Sequence, residues 1–157
     1  MSPVSVVYED EEVVTLRFAT PEEQLEALDC VREIVLAEVR RLDMGVYHTD
    51  RSWKERTCAE EILCGTPHCL AGWLQVCARD PWVRRLKNAD MAGQLCAPAV
   101  AHRFYCSDGE MLDYLEHRRY VREVEERVLD VAPMVIPLYC FRPESAADRR
   151  SAEGKGG

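Results

Sequence analysis

The apolar positions of this chain change period several times, and each change marks an element. Val4–Tyr8 and Val13–Phe18 are β-branched runs on either side of Glu9-Asp10-Glu11-Glu12. Val14, Leu16 and Phe18 alternate with Thr15, Arg17 and Ala19, which predicts a β-hairpin with one buried face and an acidic tip. The period then turns helical. Thr20-Pro21-Glu22-Glu23 is a helix start, with an N-cap threonine, proline at the first position and glutamate at the third. Leu28, Val31, Val35, Val39 and Leu42 line one face of a helix expected to reach about Leu42, with Gly45 beyond it. A loop over 45–53 and a short helix over 53–63, with Glu60 and Glu61 exposed, come next.

The most apolar stretch is Cys64–Ala78, CGTPHCLAGWLQVCA. Thr66 reads as an N-cap and Pro67 as the first residue of a helix running to about Arg79, buried nearly all round. Asp80-Pro81 ends it and starts another short helix. Asn88 caps a helix through Cys96, and Pro98 opens one through about Tyr105. Ser107-Asp108-Gly109-Glu110 is a capping box for a last long helix to about Val131, with Tyr114, His117, Val121, Val124, Val128 and Val131 on its apolar stripe. His117 on that stripe reads as a core or boundary histidine. Met134–Phe141 reads as a strand, placed at an edge by Pro137, and pairs with the N-terminal hairpin. The fold class is α+β: one mostly helical domain over 1–142, with a small sheet from the hairpin and this strand. Residues 143–157 read as a disordered tail.

Charge sharpens the picture. The net charge is −8, and all of it resides between Glu9 and Glu38, where ten acidic residues face two arginines. Glu22, Glu26, Asp29 and Glu33 fall within about 60° of one another at about 100° per residue, so they form one stripe on the first helix. Like charges at this spacing repel by a few tenths of a kcal/mol each. Together with Glu9, Asp10, Glu11 and Glu12 the stripe is the expected docking surface for a protein with a basic face, such as a nucleic-acid-binding protein. The remaining acids and bases balance, which argues against direct nucleic-acid binding. No apolar run reaches the roughly 18 residues a membrane span needs. No basic region leads into an apolar run near Met1, so no secretory signal is expected and the chain reads as cytoplasmic.

The eight cysteines are then expected as reduced thiols or metal ligands rather than a disulfide framework. Zinc takes four thiolate or imidazole ligands, and Cys58, Cys64, His68 and Cys69 supply such a set, with His48 as a substitute. The spacing is not a pair of C-x-x-C knuckles, and adjacent His68 and Cys69 diverge by about 100° on a helix. Alternatively, Cys69 in a first helical turn has a thiol whose pKa the orphan N–H groups would lower, with His48, His68 or His102 as base. Pro67-His68-Cys69 resembles the active-site turn of thioredoxin-like oxidoreductases. However, four residues separate Cys64 from Cys69 instead of two, and no βαβ pattern precedes them. The closing Gly156-Gly157 resembles a ubiquitin-like tail, which the long helical middle does not fit.

Cys64–Trp73, CGTPHCLAGW, preceded by Leu42–His48, LDMGVYH, is similar to a motif of small bacterial and phage proteins that carry C-G-T-x-H-C-x-A-G-W. The likeness covers roughly Leu42 to Leu115, and its specific part is about ten residues long. It implies no activity. It implies a mobile-element setting, in which small acidic proteins act by binding host machinery. The sequence therefore points first to a non-enzymatic interaction module, an inhibitor or regulator that presents its acidic hairpin and first helix. A zinc or reactive-cysteine protein centred on Cys64–Cys69 is the alternative.

Overall fold

A computed structural model describes residues 5–8, 12–48, 51–127 and 132–153. The hairpin forms as read: β1 (Ser5–Tyr8) pairs antiparallel with β2 (Val13–Leu16). β3 (Met134–Pro137) adds antiparallel on the other side of β2, giving the order β1-β2-β3. Val14 and Leu16 are fully buried, and Ile136 of β3 packs beside them in the same core. Phe18, expected on the buried face, packs only partly against it.

The N-terminal helix α1 (Pro21–Ala37) has the expected capping box between Thr20 and Glu23. It ends five residues earlier than its apolar pattern suggests. Glu38 turns extended, and a 3-10 turn over Val39–Arg41 brings Leu42 into the core from a different direction. Leu28, Val31, Ile34 and Val35 carry the buried face of α1.

After a 3-10 turn over Arg51–Glu55 come α2 (Cys58–Cys64), α3 (Leu70–Val76), α4 (Pro81–Arg85) and α5 (Ala89–Cys96). The central helix departs most from expectation. It begins at Leu70 with Cys69 as its N-cap, rather than at Pro67 under Thr66. The reason is tertiary. His68 N–H donates to Arg41 O (3.0 Å), Asp43 N–H to His68 O (3.1 Å) and Cys69 N–H to Val46 O (3.0 Å), so residues 66–69 are held extended against 41–48. The stretches 41–48 and 66–69 are thus laced together through their backbones. Gly72 is needed at this contact, because a Cβ there would lie 1.9 Å from Tyr47 O. All seven residues of α3 are buried, as expected, and α5 is its main neighbour. Gly93 of α5 meets Ala71 of α3 closely, where an added Cβ would sit 2.8 Å from Ala71 Cβ.

A 3-10 turn over Pro98–Arg103 leads to α6 (Asp108–Glu116), capped by Ser107, and α7 (Tyr120–Glu126). A single long helix is corrected to two. Arg118 adopts φ +48° between them, a left-handed geometry that turns the chain. The turn aims the Arg118 guanidinium at Asp29 of α1 (2.9 Å) and puts the Tyr120 hydroxyl on the same carboxylate. His117, expected in the core or at its boundary, is exposed beside Asp113 at 3.1 Å. Val128 and Val131 lie outside the described residues.

The expected tail also needs correction. Within residues 143–157, α8 (Ala146–Glu153) forms, and Asp148 on it is completely buried. Asp148 accepts from Arg84 Nε (2.8 Å) and from both terminal nitrogens of Arg142 (2.8 and 2.9 Å), and its backbone N–H donates to Ser145 Oγ (3.0 Å). Three charge-assisted contacts and a cap hold a helix whose apolar surface alone would not. No helix among the described residues is long and apolar enough to cross a membrane.

Candidate functional site

The proposed ligand quartet is not assembled. Cys58, at the first position of α2, is joined to Cys77 at the end of α3 in a disulfide, Cα–Cα 5.0 Å. This corrects the expectation that the cysteines are reduced thiols, metal ligands or catalytic groups rather than disulfide-bonded. Cys64 ends α2 and is exposed. Cys69 is buried, and its sulfur accepts from Gly72 N–H (3.3 Å) as the N-cap of α3. Burial pushes its thiol up to about 11, against the opposing pull of those backbone N–H groups. A cap position with its side chain turned inward does not give the low-pKa thiolate that the first-turn reading expected. His68 is fully buried and engaged elsewhere. Among the described residues no three His, Cys, Asp or Glu side chains converge on a metal position.

What the central motif does build is a closed polar chain in the core. His48 Nε2 meets Gln75 Oε1 at 2.8 Å, His48 Nδ1 meets His68 Nδ1 at 2.8 Å, and His68 Nε2 meets Glu61 Oε2 at 2.5 Å. Glu61 Oε1 then accepts from Arg56 Nε at 2.6 Å. Gln75 sets the direction of the chain. Its amide nitrogen points at Val83 O, Arg84 O and Leu86 O (3.1, 3.4 and 2.7 Å), so its oxygen must face His48 and accept a proton from Nε2. Burial lowers the His48 pKa to about 4, with the Gln75 bond opposing and His68 adding to the fall, so the ring is neutral at pH 7. Its Nδ1 is therefore an acceptor for His68 Nδ1–H. The remaining proton lies between His68 Nε2 and Glu61. Burial raises the Glu61 carboxyl, but the bonds from His68 and Arg56 outweigh it and its pKa falls below the ordinary value.

Every nitrogen of both rings is committed in this chain. Neither histidine retains a lone pair for a metal or for a substrate proton, although His48 lines an open depression beside Tyr47, Asn88 and Tyr105. The arrangement suits a structural pin: a fully satisfied buried network fixes one packing. Glu61, expected to be exposed, is 0% exposed and is the central acceptor of the pin. A second set of charges leans on it. His48 stacks on Trp53 (centroids 4.2 Å apart, 17°), and Arg84 and Arg142 lie 5.1 and 5.2 Å from the same ring. Arg84 also donates to Arg56 O (2.7 Å). The Asp148 cluster and the histidine chain are one continuous polar core.

The other candidate surface is the acidic one. Glu9, Asp10 and Glu11 lie outside the described residues, and Glu12 is exposed at the end of the hairpin turn. On α1, Glu22, Glu26 and Glu33 are exposed. Asp29 is partly exposed but paired: Arg118 and Tyr120 hold it, and it ties α1 to the α6–α7 turn. Glu23, next to the stripe, is paired with Arg17 at 2.8 and 3.0 Å, which holds its carboxyl down to about 2. Comparisons with protein-family models, with curated proteins and with solved structures return no match for this chain.

Proposed function

We propose that the chain is a non-enzymatic interaction module whose α1 face docks a basic protein surface, acting as an inhibitor or regulator of that partner. One observation carries the reading. Arginines neutralise many carboxylates elsewhere: Asp113 by Arg119, Glu123 by Arg103, Glu126 by Arg122 and Asp148 by Arg84 and Arg142. Glu22, Glu26 and Glu33 stay exposed, and no ion pair among the described residues reaches them. An unneutralised stripe on a rigid helix attracts a cationic surface and speeds its approach.

The test is capture by the immobilised chain against Glu22→Lys/Glu26→Lys/Glu33→Lys, with circular dichroism to show that the variant folds. The same captured protein, carrying a basic surface and lost in the folded variant, supports the reading. Equal capture by both, or capture of nothing basic, ends it.

A further inference from the structure

An open depression of about 820 Å³ lies between the Val46–His48 segment, the start of α5 and Tyr105. Its volume falls within the roughly 300–1,000 Å³ of small-molecule sites. Val46, Tyr47 and Tyr105 line it and are 39%, 38% and 73% exposed. A single exposed apolar side chain needs no explanation, whereas three gathered on one depression point to a binding surface. The surface is held in place. The Tyr105 hydroxyl donates to Asp90 Oδ1 (2.8 Å), and the Tyr47 phenol sits beside it. Cys69 N–H donates to Val46 O (3.0 Å), and Gly72 leaves room for the Tyr47 backbone against α3. The polar rim carries one charge of each sign. Lys87 is exposed, and no ion pair among the described residues reaches it. Asp90 is committed to Tyr105 and to Gln94 Nε2 (2.7 Å), so it anchors the ring and balances Lys87. Asn88 between them accepts from Met91 N–H through Oδ1 (3.0 Å), which leaves its amide N–H groups to donate outward.

We propose that this depression binds a neutral sugar, a pyranose ring of a glucose oligosaccharide, with its C–H face on Tyr47 and Tyr105 and its hydroxyls on Lys87 and Asn88. The site is independent of the docking role of α1. The charge balance selects a neutral ligand, since an anion would meet Asp90 and a cation would meet Lys87. The aromatic faces select a flat one. In β-glucose every ring substituent is equatorial, so the axial C–H bonds form flat apolar faces and the hydroxyls project from the rim. Such C–H groups are drawn to the negative face of an aromatic ring. Lys87 and Asn88 are donors, and a hydroxyl oxygen has two lone pairs to accept from them. An open site also suits a sugar, because the hydroxyls on its outer side stay hydrated. A proline-rich peptide stacks on tyrosines too, but it engages successive prolines along an aromatic groove, and this site has one pair of rings.

The experiment is an NMR titration of the isotope-labelled full chain with cellotriose and with maltotriose, the β- and α-linked glucose trimers. A parallel titration uses blocked hexaproline. Saturable shifts are expected at the amides of Val46, Tyr47, Lys87 and Tyr105 with at least one trimer. Tyr105→Ala removes a stacking face from an exposed position and should weaken binding about fivefold or more. Lys87→Ala, also at an exposed position, removes a donor and should weaken it about threefold; it keeps the proposal testable should the first variant fail to fold. Absent shifts with both trimers, unchanged affinity in either folded variant, or shifts with hexaproline alone overturns the proposal.

Discussion

Glu61 shows how much a single buried carboxylate can organise. It accepts from His68 and Arg56, and through His68 it orders His48 and Gln75. Glu61→Ala leaves two cationic or polar partners in the core without an acceptor. A loss of about 3 kcal/mol is expected, at the lower end of what breaking a buried pair costs, since Arg56 can reach solvent. Urea unfolding measures it, and a change below about 0.5 kcal/mol would show that the chain is not a pin. His48 adds a pH dependence with a definite sign. Its folded pKa is about 4, below the unfolded value of about 6.5, so the unfolded state binds the extra proton. Stability is full above pH ~6.5 and falls by about 3 kcal/mol as pH drops to 4. Glu61 and Asp148, whose carboxyl pKa values are lowered, add a further loss below the ordinary carboxylate range. Unfolding midpoints between pH 4 and 7 test this; replacing His48 by Phe should flatten the upper stage.

At the scale of elements, what was legible in the sequence was local. Thr20 with Glu23, Asp80 with Pro81, Asn88, and Ser107 with Glu110 all begin helices where they were read, because a cap needs only neighbours three residues away. The Thr57–Glu60 and Ser145–Asp148 caps carry the same local signal, a side chain bonded to a backbone N–H three residues on. What local pattern could not show were the long-range decisions. Thr66-Pro67 is a sound helix start, but backbone pairing with 41–48 outcompetes it. Glu61 looked like an outward acid because its partners, His68 and Arg56, approach from other elements. The α6–α7 break depends on Asp29, 89 residues before Arg118.

Two element-scale predictions follow from the same contacts. Deleting residues 143–157 strips Asp148 from Arg84, whose side chain has no exposure. That deletion should cost about 3–5 kcal/mol, read as a large fall in Tm, whereas a disordered tail would be removed at no cost. The Cys58–Cys77 disulfide closes a segment with a sequence separation of 19 that contains Glu61, His68 and Gln75. Reduction by a dithiol, or Cys77→Ser, should lower stability by about 3 kcal/mol through the unfolded state. Mass spectrometry after alkylation under denaturing, non-reducing conditions should find six free thiols, and eight would contradict the bond.

At the scale of the whole molecule, the two halves of the charge pattern have separate work. Arginines in the body of the chain are spent on internal pairing: Arg32 and Arg118 tie α1 to the α6–α7 region, and Arg84 and Arg142 hold α8. On α1, Glu22, Glu26 and Glu33 are left exposed. The central motif, whose residue types suggest a metal or thiol site, contains α3, against which α1 packs. In the core, Glu61, His68, His48, Gln75, Arg84 and Asp148 are held by packing and hydrogen bonds to one another and to the backbone, and the proposed partner recognition is assigned to the α1 face.

The most direct test of this division is the affinity of the captured partner for the full chain as a function of salt. An acidic docking face predicts a dissociation constant that rises at least about tenfold between about 50 mM and about 500 mM sodium chloride, because exposed charges are screened over that range. The Glu22→Lys/Glu26→Lys/Glu33→Lys variant should show negligible binding at every concentration. Affinity that is independent of salt, or retained by the folded variant, would contradict the account.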